Sequence, residues 1–464
     1  MTNWPPNRDT LKRPVYRSLV DLVARAVETG ELAPGVRLPT HRDLAHGLDI
    51  SIQTVSRAYE ELIRRGLIVG EVGRGTFVRS DRPDPGPPFI TERGPGTLID
   101  LSILKPVGDA LHLERMKMAL ATLQDDLPLS TLFSFRPSLA HRRYREVAVD
   151  WLQLCGLQAS PNAVLITSGT SPGLTIALMS AARPGDVVAT EAIGHHMLRP
   201  LTRYLGMRLK GLPIDDDGIL PDALAQACGS EAIKALFLVP SAANPTVAMV
   251  SRARREAIVE IARRHNIYII ENDAWGPLIE GRPPPLASLA PERTFYVTSF
   301  TKCGMPGLRA GYLVAPEVMI GAVANRHLVT NWSATSIIAE IATRWVVDGT
   351  ARELLEWQRA ALRTRNALAA EVLGDISRRQ HPNSLHIWLP LPPAWREEEF
   401  VAHARLHNVA VAPGASFAAE ASVRTSAVRI SVGATTADEL RQGLEVVTRM
   451  VRTEPEPAPA LLGM

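Results

Sequence analysis

Apolar positions in the first 80 residues recur at helical spacing. Val15, Leu19, Leu22, Val23 and Ala26 mark one face of a first helix, and Thr40-His41-Arg42-Asp43 has the form of a capping box opening a second, which contributes Leu44 and Leu48. Val55, Ala58, Tyr59, Leu62 and Ile63 follow the i, i+3, i+4, i+7, i+8 pattern of a third helix. Gly66 then stands where a helix C-terminus wants a residue that tolerates positive φ. Residues 67–78, LIVGEVGRGTFV, predict a hairpin of two β-prone segments around Gly73-Arg74-Gly75-Thr76.

Periodicity is lost from residue 81. The stretch DRPDPGPPFITERGPG holds five prolines and three glycines, which predicts an extended, semi-rigid linker over 81–97. Beyond it the pattern changes character. Short apolar runs at 163–167 (AVLIT), 186–190 (DVVAT), 235–240 (ALFLVP), 267–273 (IYIIEND) and 294–300 (TFYVTSF) alternate with longer amphipathic segments. Such runs are the mark of strands buried on both faces of a parallel sheet, so residues 98–452 are expected to form an α/β domain behind a helical domain of residues 1–80. The last stretch, 453–464, is expected to fray.

Composition sharpens this division. Hydrophobic residues make up 46% of the 464, enough for one large core and a smaller one. The net charge of +3 lies wholly in the first 80 residues, which hold 12 Lys/Arg against 9 Asp/Glu and leave 39 of each for the rest. That is weak evidence for nucleic acid alone, but it directs attention to the helical domain. Cys155, Cys228 and Cys303 are too few and too isolated for a disulfide framework or a metal cluster, and neither a signal peptide nor a run of about 18 apolar residues occurs. A cytoplasmic location without a bound metal is the expectation.

With Val55, Tyr59 and Leu62 buried, the other side of the third helix presents Ser51, Gln53, Thr54 and Arg57 near its N-terminus. In a helix-turn-helix this end enters the major groove, where hydroxyls, amides and guanidinium groups reach base edges and phosphates. Arg74, between two glycines at the hairpin tip, can enter a minor groove or meet a phosphate. The stretch LPTHRDLAHGLDISIQTVSRAYEELIRRGLIVGEVGRGTFV resembles the winged helix-turn-helix of GntR-family bacterial regulators. The resemblance implies DNA contacts by Arg42, Thr54, Arg57, Arg74 and Thr76, with Ser51, Gln53 and Gly75 completing the surface. Ile52 departs from it, since the family commonly has Arg there.

The large domain carries its own chemistry in Ser299-Phe-Thr-Lys-Cys-Gly-Met-Pro-Gly-Leu-Arg309, which follows a buried strand. Ligands of open α/β sheets bind at such strand ends, and a poorly solvated lysine there is costly unless its amine is neutral or covalently used. Ser299, Thr301 and Arg309 around Lys302 suit a phosphate dianion. Gly169, Thr170 and Ser171, in a turn between a strand and a helical run, offer backbone N–H groups to the same anion. Together with Ala243-Asn244-Pro245-Thr246 these motifs resemble fold-type-I aminotransferases over roughly 98–450, a fold with a mainly parallel central sheet and a smaller C-terminal α+β subdomain. The resemblance implies pyridoxal 5'-phosphate held as an internal aldimine on Lys302, Asn244 donating to its phenolic oxygen, and Arg429 binding a substrate or effector carboxylate. The whole chain resembles the MocR subfamily of GntR regulators, which implies a homodimer on promoter DNA.

Three positions depart from the aminotransferase pattern. Asn272 falls where an acid normally faces the pyridine nitrogen, so the electron sink for transamination is weakened unless Asp273 takes over. Trp275, at an expected Tyr, has no hydroxyl, and His195 stands where an aromatic ring usually stacks on the cofactor. The expectation is a regulator that senses the cofactor or an amino compound. An active aminotransferase carrying a DNA-binding module is the rival, and a dimerisation scaffold with an unreactive Lys302 is a third reading.

Overall fold

The computed structural model describes residues 8–71, 75–79, 98–133 and 142–453. They fall into two compact units, within residues 1–90 and 91–464. The expected linker 81–97, Arg74 and the end of the tail lie outside the described residues.

The first unit holds three helices, Val15–Glu28, His41–Leu48 and Ile52–Arg64, and an antiparallel hairpin of Ile68–Glu71 with Gly75–Val78. Its core is one cluster in which Leu19, Val23 and Ala26 of the first helix meet Leu44 and Leu48 of the second and Val55, Ala58, Tyr59 and Leu62 of the third. Val20 and Val27 are buried in that cluster as well, while Val15 and Leu22 are only half-buried, so the first stripe is rotated from the expected one. Ile63 is 47% exposed, contrary to expectation. At helical spacing it lies about 80° round from Val55, at the edge of the apolar stripe.

Thr40 and Ser51 cap the second and third helices by accepting from the backbone N–H of Asp43 and Thr54. The third helix ends as expected at Gly66, whose φ is +67°, with Leu67 N–H donating to the Leu62 carbonyl and Gly66 N–H to that of Ile63. Tyr59 donates its hydroxyl to the Pro39 carbonyl at 2.8 Å, tying the turn before the second helix to the third.

The second unit is built on a seven-stranded sheet. In spatial order its strands are Val164–Thr167, Gly311–Val314, Thr294–Ser299, Tyr268–Asn272, Ile233–Leu238, Val187–Glu191 and Arg208–Leu212. Gly311–Val314 alone runs against the other six. The five apolar runs read from the sequence all lie in it, buried as a parallel sheet covered on both faces requires. The two strands without such a run are the sheet-edge strand Arg208–Leu212, which is partly exposed, and the short antiparallel Gly311–Val314.

A smaller C-terminal part pairs His386–Pro390 and Ala412–Pro413 with Ala427–Ser431, flanked by helices Glu397–Leu406 and Ala437–Arg452. Strand Ile99–Asp100 pairs with Val409–Ala410, so the segment that enters this unit from the N-terminal side is stitched into the smaller part.

Candidate functional site

Thr167, Asn272 and Ser299 end their strands on the same edge of the sheet, and Gly311 begins its antiparallel strand beside two of them, opposite Thr167 and Ser299. Gly169 follows Thr167 with φ +93° and ψ −174°, a conformation open essentially to glycine, and caps helix Thr170–Ala181. A Cβ on Gly169 would stand 3.0 Å from Arg309 Nη2, so the missing side chain is what lets the guanidinium lie over this turn. Thr170 Oγ1 and Ser299 Oγ are 2.7 Å apart, and Thr301 N–H donates to Ser299 Oγ at 3.3 Å. Thr301 Oγ1 is buried with no partner among the described residues. Ser171 lies exposed in the first turn of the helix. The structure therefore brings Gly169, Thr170, Ser299, Thr301 and Arg309 into one cradle of hydroxyls, amides and a guanidinium.

Lys302 donates through Nζ to the Leu104 carbonyl. Burial, with Arg429 and Arg309 as neighbouring cations, lowers its pKa to about 8. Arg429, 2% exposed, donates to Asn244 Oδ1 at 3.0 Å and to the Ser102 carbonyl, and its guanidinium lies 4.8 Å from the centre of the Phe417 ring. Burial pulls Arg429 down to about 9 against the upward effect of Asp100. Neither of those two oxygen acceptors carries a charge. His195 is held neutral, with a pKa lowered to about 4 by burial and then by Lys302 and Arg429. Its ring stacks on His196 at 5.3 Å and 20°.

Asn272 is 1% exposed, and neither atom of its amide has a partner among the described residues. Asp273, expected as a possible replacement, is committed elsewhere. Its two carboxylate oxygens accept from Arg282 Nη1 at 2.7 Å and from Tyr296 OH at 2.5 Å. The physical reason is alternation, because successive residues of an extended strand face opposite sides of the sheet and Asp273 points away from Asn272. Trp275 likewise spends its indole N–H on the carbonyls of Ser241 and Ala242, at 2.8 and 3.1 Å, bracing the loop that carries Asn244 rather than offering a donor to a ligand.

Arg282 and Tyr296 escaped the sequence reading because nothing local links them to Asp273. The carbonyls of Ser102 and Leu104 were unreadable, since backbone groups leave no mark on a sequence. Among the described residues no group of three metal-ligating side chains occurs, and no helix is long and apolar enough to cross a membrane.

In the first unit Arg42, Ser51, Gln53 and Arg57 are exposed, Ile52 beside them is half-exposed, and Thr54 is half-buried. Ser51 Oγ, besides capping the helix, lies 2.8 Å from Thr54 Oγ1, and Arg57 sits 4.2 Å over the Tyr16 ring. Thr76 and Gly75 are in the second hairpin strand, with Gly75 at φ +117°. A Cβ on Gly75 would stand 2.8 Å from Arg37 Nε, which places Arg37, exposed and not singled out from the sequence, against the wing.

The chain belongs to the family described as aminotransferase class I and II, whose model matches residues 97–447. Residues 15–78 match the model for bacterial regulatory proteins of the gntR family, and this union is the arrangement of the MocR regulators. The chain is 27% identical over 450 residues to the HTH-type transcriptional regulator YdeF of Bacillus subtilis, covering 97% of each chain. It is 27% identical to the HTH-type pyridoxine biosynthesis transcriptional regulator PdxR of Corynebacterium glutamicum, over 78% of this chain and 79% of that one. An archaeal alanine:glyoxylate aminotransferase shares the fold, with a TM-score of 0.71 at 21% identity over 77% of this chain and 91% of that one.

The family implies pyridoxal phosphate, and the residues present fit it. A lysine of lowered pKa, an anion cradle with an orphaned threonine hydroxyl, and an orphaned buried amide at a neighbouring strand end are what its carbonyl, phosphate and ring nitrogen require.

Proposed function

We propose that this protein is a DNA-binding transcription regulator whose aminotransferase-like domain senses pyridoxal phosphate, or an amino compound bearing a carboxylate, through Lys302 and Arg429. One observation carries the reading. Lys302 and Arg429 hold the carbonyls of Leu104 and Ser102, two residues apart on the segment that continues from the side of the winged helix. A ligand that takes either cation exchanges it for one of these carbonyls, and a ligand shifts an equilibrium only by such a difference in affinity between two states.

Bound here, pyridoxal phosphate supplies a carbonyl carbon that primary amines attack. Lys302 supplies the resident amine, roughly a tenth of it neutral near pH 7 given a pKa of about 8. Gly169, Thr170, Ser299, Thr301 and Arg309 would hold the phosphate, Asn244 would donate to the phenolic oxygen, and neutral His195 would offer its ring to the cofactor's. Arg429 offers its planar fork to a carboxylate. The name of the PdxR relative, a regulator of pyridoxine biosynthesis, supports the cofactor itself as one effector. The protein acts as a homodimer on promoter DNA, with Arg42, Ser51, Gln53, Thr54, Arg57, Thr76 and the wing residues Arg74 and Gly75 at the interface.

The test is footprinting of DNA upstream of the protein's own gene, with and without pyridoxal phosphate and amino compounds. Protection that changes with ligand, and loses that response in Lys302→Ala, is expected. No binding at low or moderate salt would overturn the reading. An active aminotransferase is the second reading, favoured by the near-neutral pKa of Lys302, and sustained keto-acid production from amino acids would establish it.

A further inference from the structure

We propose that Asn272 lies under the pyridine nitrogen and donates Nδ2–H to it, so that this protein holds pyridoxal phosphate as a neutral pyridine. The inference rests on the reading of this site as a cofactor pocket and says which form of the cofactor it selects. Asn272 ends the Tyr268–Asn272 strand opposite Val297, two residues before Ser299 in the adjacent strand. Its amide is buried and unpartnered among the described residues, whereas several polar groups on the adjoining strand ends have partners. Ser299 meets Thr170, Thr298 donates to the Asp273 carbonyl, and Trp275 donates to two carbonyls. A primary amide can give N–H to an unprotonated ring nitrogen or its oxygen to a pyridinium, and the charges nearby decide between the two.

A pyridinium is a buried cation and needs an anion. The two acids beside Asn272 in sequence are spent on the far face. Asp273 accepts from Arg282 and Tyr296, and Glu271 accepts from the backbone N–H of Leu286 and Ala287 at 3.0 and 2.9 Å with Arg255 at 3.8 Å. Among the described residues, the cations on the ligand side besides Lys302 are Arg309 and Arg429, His195 and His196 are held neutral, and Asp100, the acid that acts on Arg429, accepts from Ser102 N–H and Oγ at 2.9 and 2.6 Å. Among the described residues no carboxylate is placed against Asn272, the charge around it is mainly positive, and the amide acts as donor. A neutral ring draws electrons weakly, so exchange of amines at the carbonyl persists while loss of a Cα proton from the incoming amine is slowed. An amino compound is then bound and released intact.

Nitrogen-15 NMR of cofactor labelled at the ring nitrogen, bound to the full-length protein, tests this. The expected signal is that of an unprotonated pyridine, unchanged between about pH 6 and 9. Asn272→Asp moves it to the pyridinium position, and Asn272→Ala weakens cofactor binding tenfold or more while the cofactor absorbance persists at saturation. A pyridinium signal in the unmodified protein overturns the proposal without any variant having to fold, and so does Asn272→Ala with unchanged shift and affinity. DNA footprinting on the same samples separates the two readings. A pyridinium with ligand-responsive footprints sinks only the inference, and a neutral pyridine with no footprint sinks only the regulator.

Discussion

Lys302 titrates near 8 because burial withholds water from its ammonium and Arg429 and Arg309 add like charge. The neutral amine, which attacks a carbonyl, therefore grows from roughly a tenth at pH 7 to nine tenths at pH 9. The rate of cofactor capture, followed by its visible absorption, is expected to rise about tenfold over that interval and level off above it. A rate still climbing tenfold per pH unit past 9 would mean an ordinary surface lysine. Lys302→Ala loses the band altogether. Lys302 could be singled out from its own strand-end motif, whereas Asn244 and Arg429 were reached only through the resemblance to aminotransferases. Asp273 was only half legible, since its true partners Arg282 and Tyr296 lie 9 and 23 residues away and no spacing announces them.

At the scale of elements, two glycines set how close the strand ends come. A Cβ on Gly311 would stand 2.8 Å from the Thr298 carbonyl and 3.1 Å from the Gly169 carbonyl carbon, both backbone, while Gly169 has a conformation that other residues avoid. Gly169→Ala is expected to cost roughly 1–3 kcal/mol through strain, lowering the melting temperature and weakening cofactor binding by pushing Arg309 off the cradle. Unchanged affinity and melting would show that the turn does not hold the phosphate. In the first unit, Arg42→Ala is expected to weaken binding to all DNA alike and to flatten the salt dependence by about one unit of slope, whereas Gln53→Ala relaxes base preference by about 1–3 kcal/mol. Affinities measured on specific and random duplexes across salt separate the two. The elements themselves were readable wherever burial was one-sided and periodic, as with Val55 to Leu62. The edge strand Arg208–Leu212 was not, because its partly exposed face breaks the apolar run that marks the other strands.

Across the whole molecule, two of the pocket's cations are tied to one short stretch of backbone. Strand Ile99–Asp100 pairs with Val409–Ala410, Ser102 and Leu104 give their carbonyls to Arg429 and Lys302, and in sequence the chain leads back from there toward the winged helix. A carboxylate on Arg429 offers a bidentate, charge-assisted bond in place of one neutral carbonyl, so the exchange favours ligand and frees Ser102. Hydrogen exchange in residues 99–105 is then expected to quicken with an amino acid bound and to stay unchanged with an amine that lacks a carboxylate. Arg429→Gln removes the fork but leaves Lys302 in place. It is expected to keep the cofactor band while losing the footprint change caused by amino acids. A variant that still responds fully to the same amino acid would show that the signal leaves the pocket by some route other than Arg429 and Ser102.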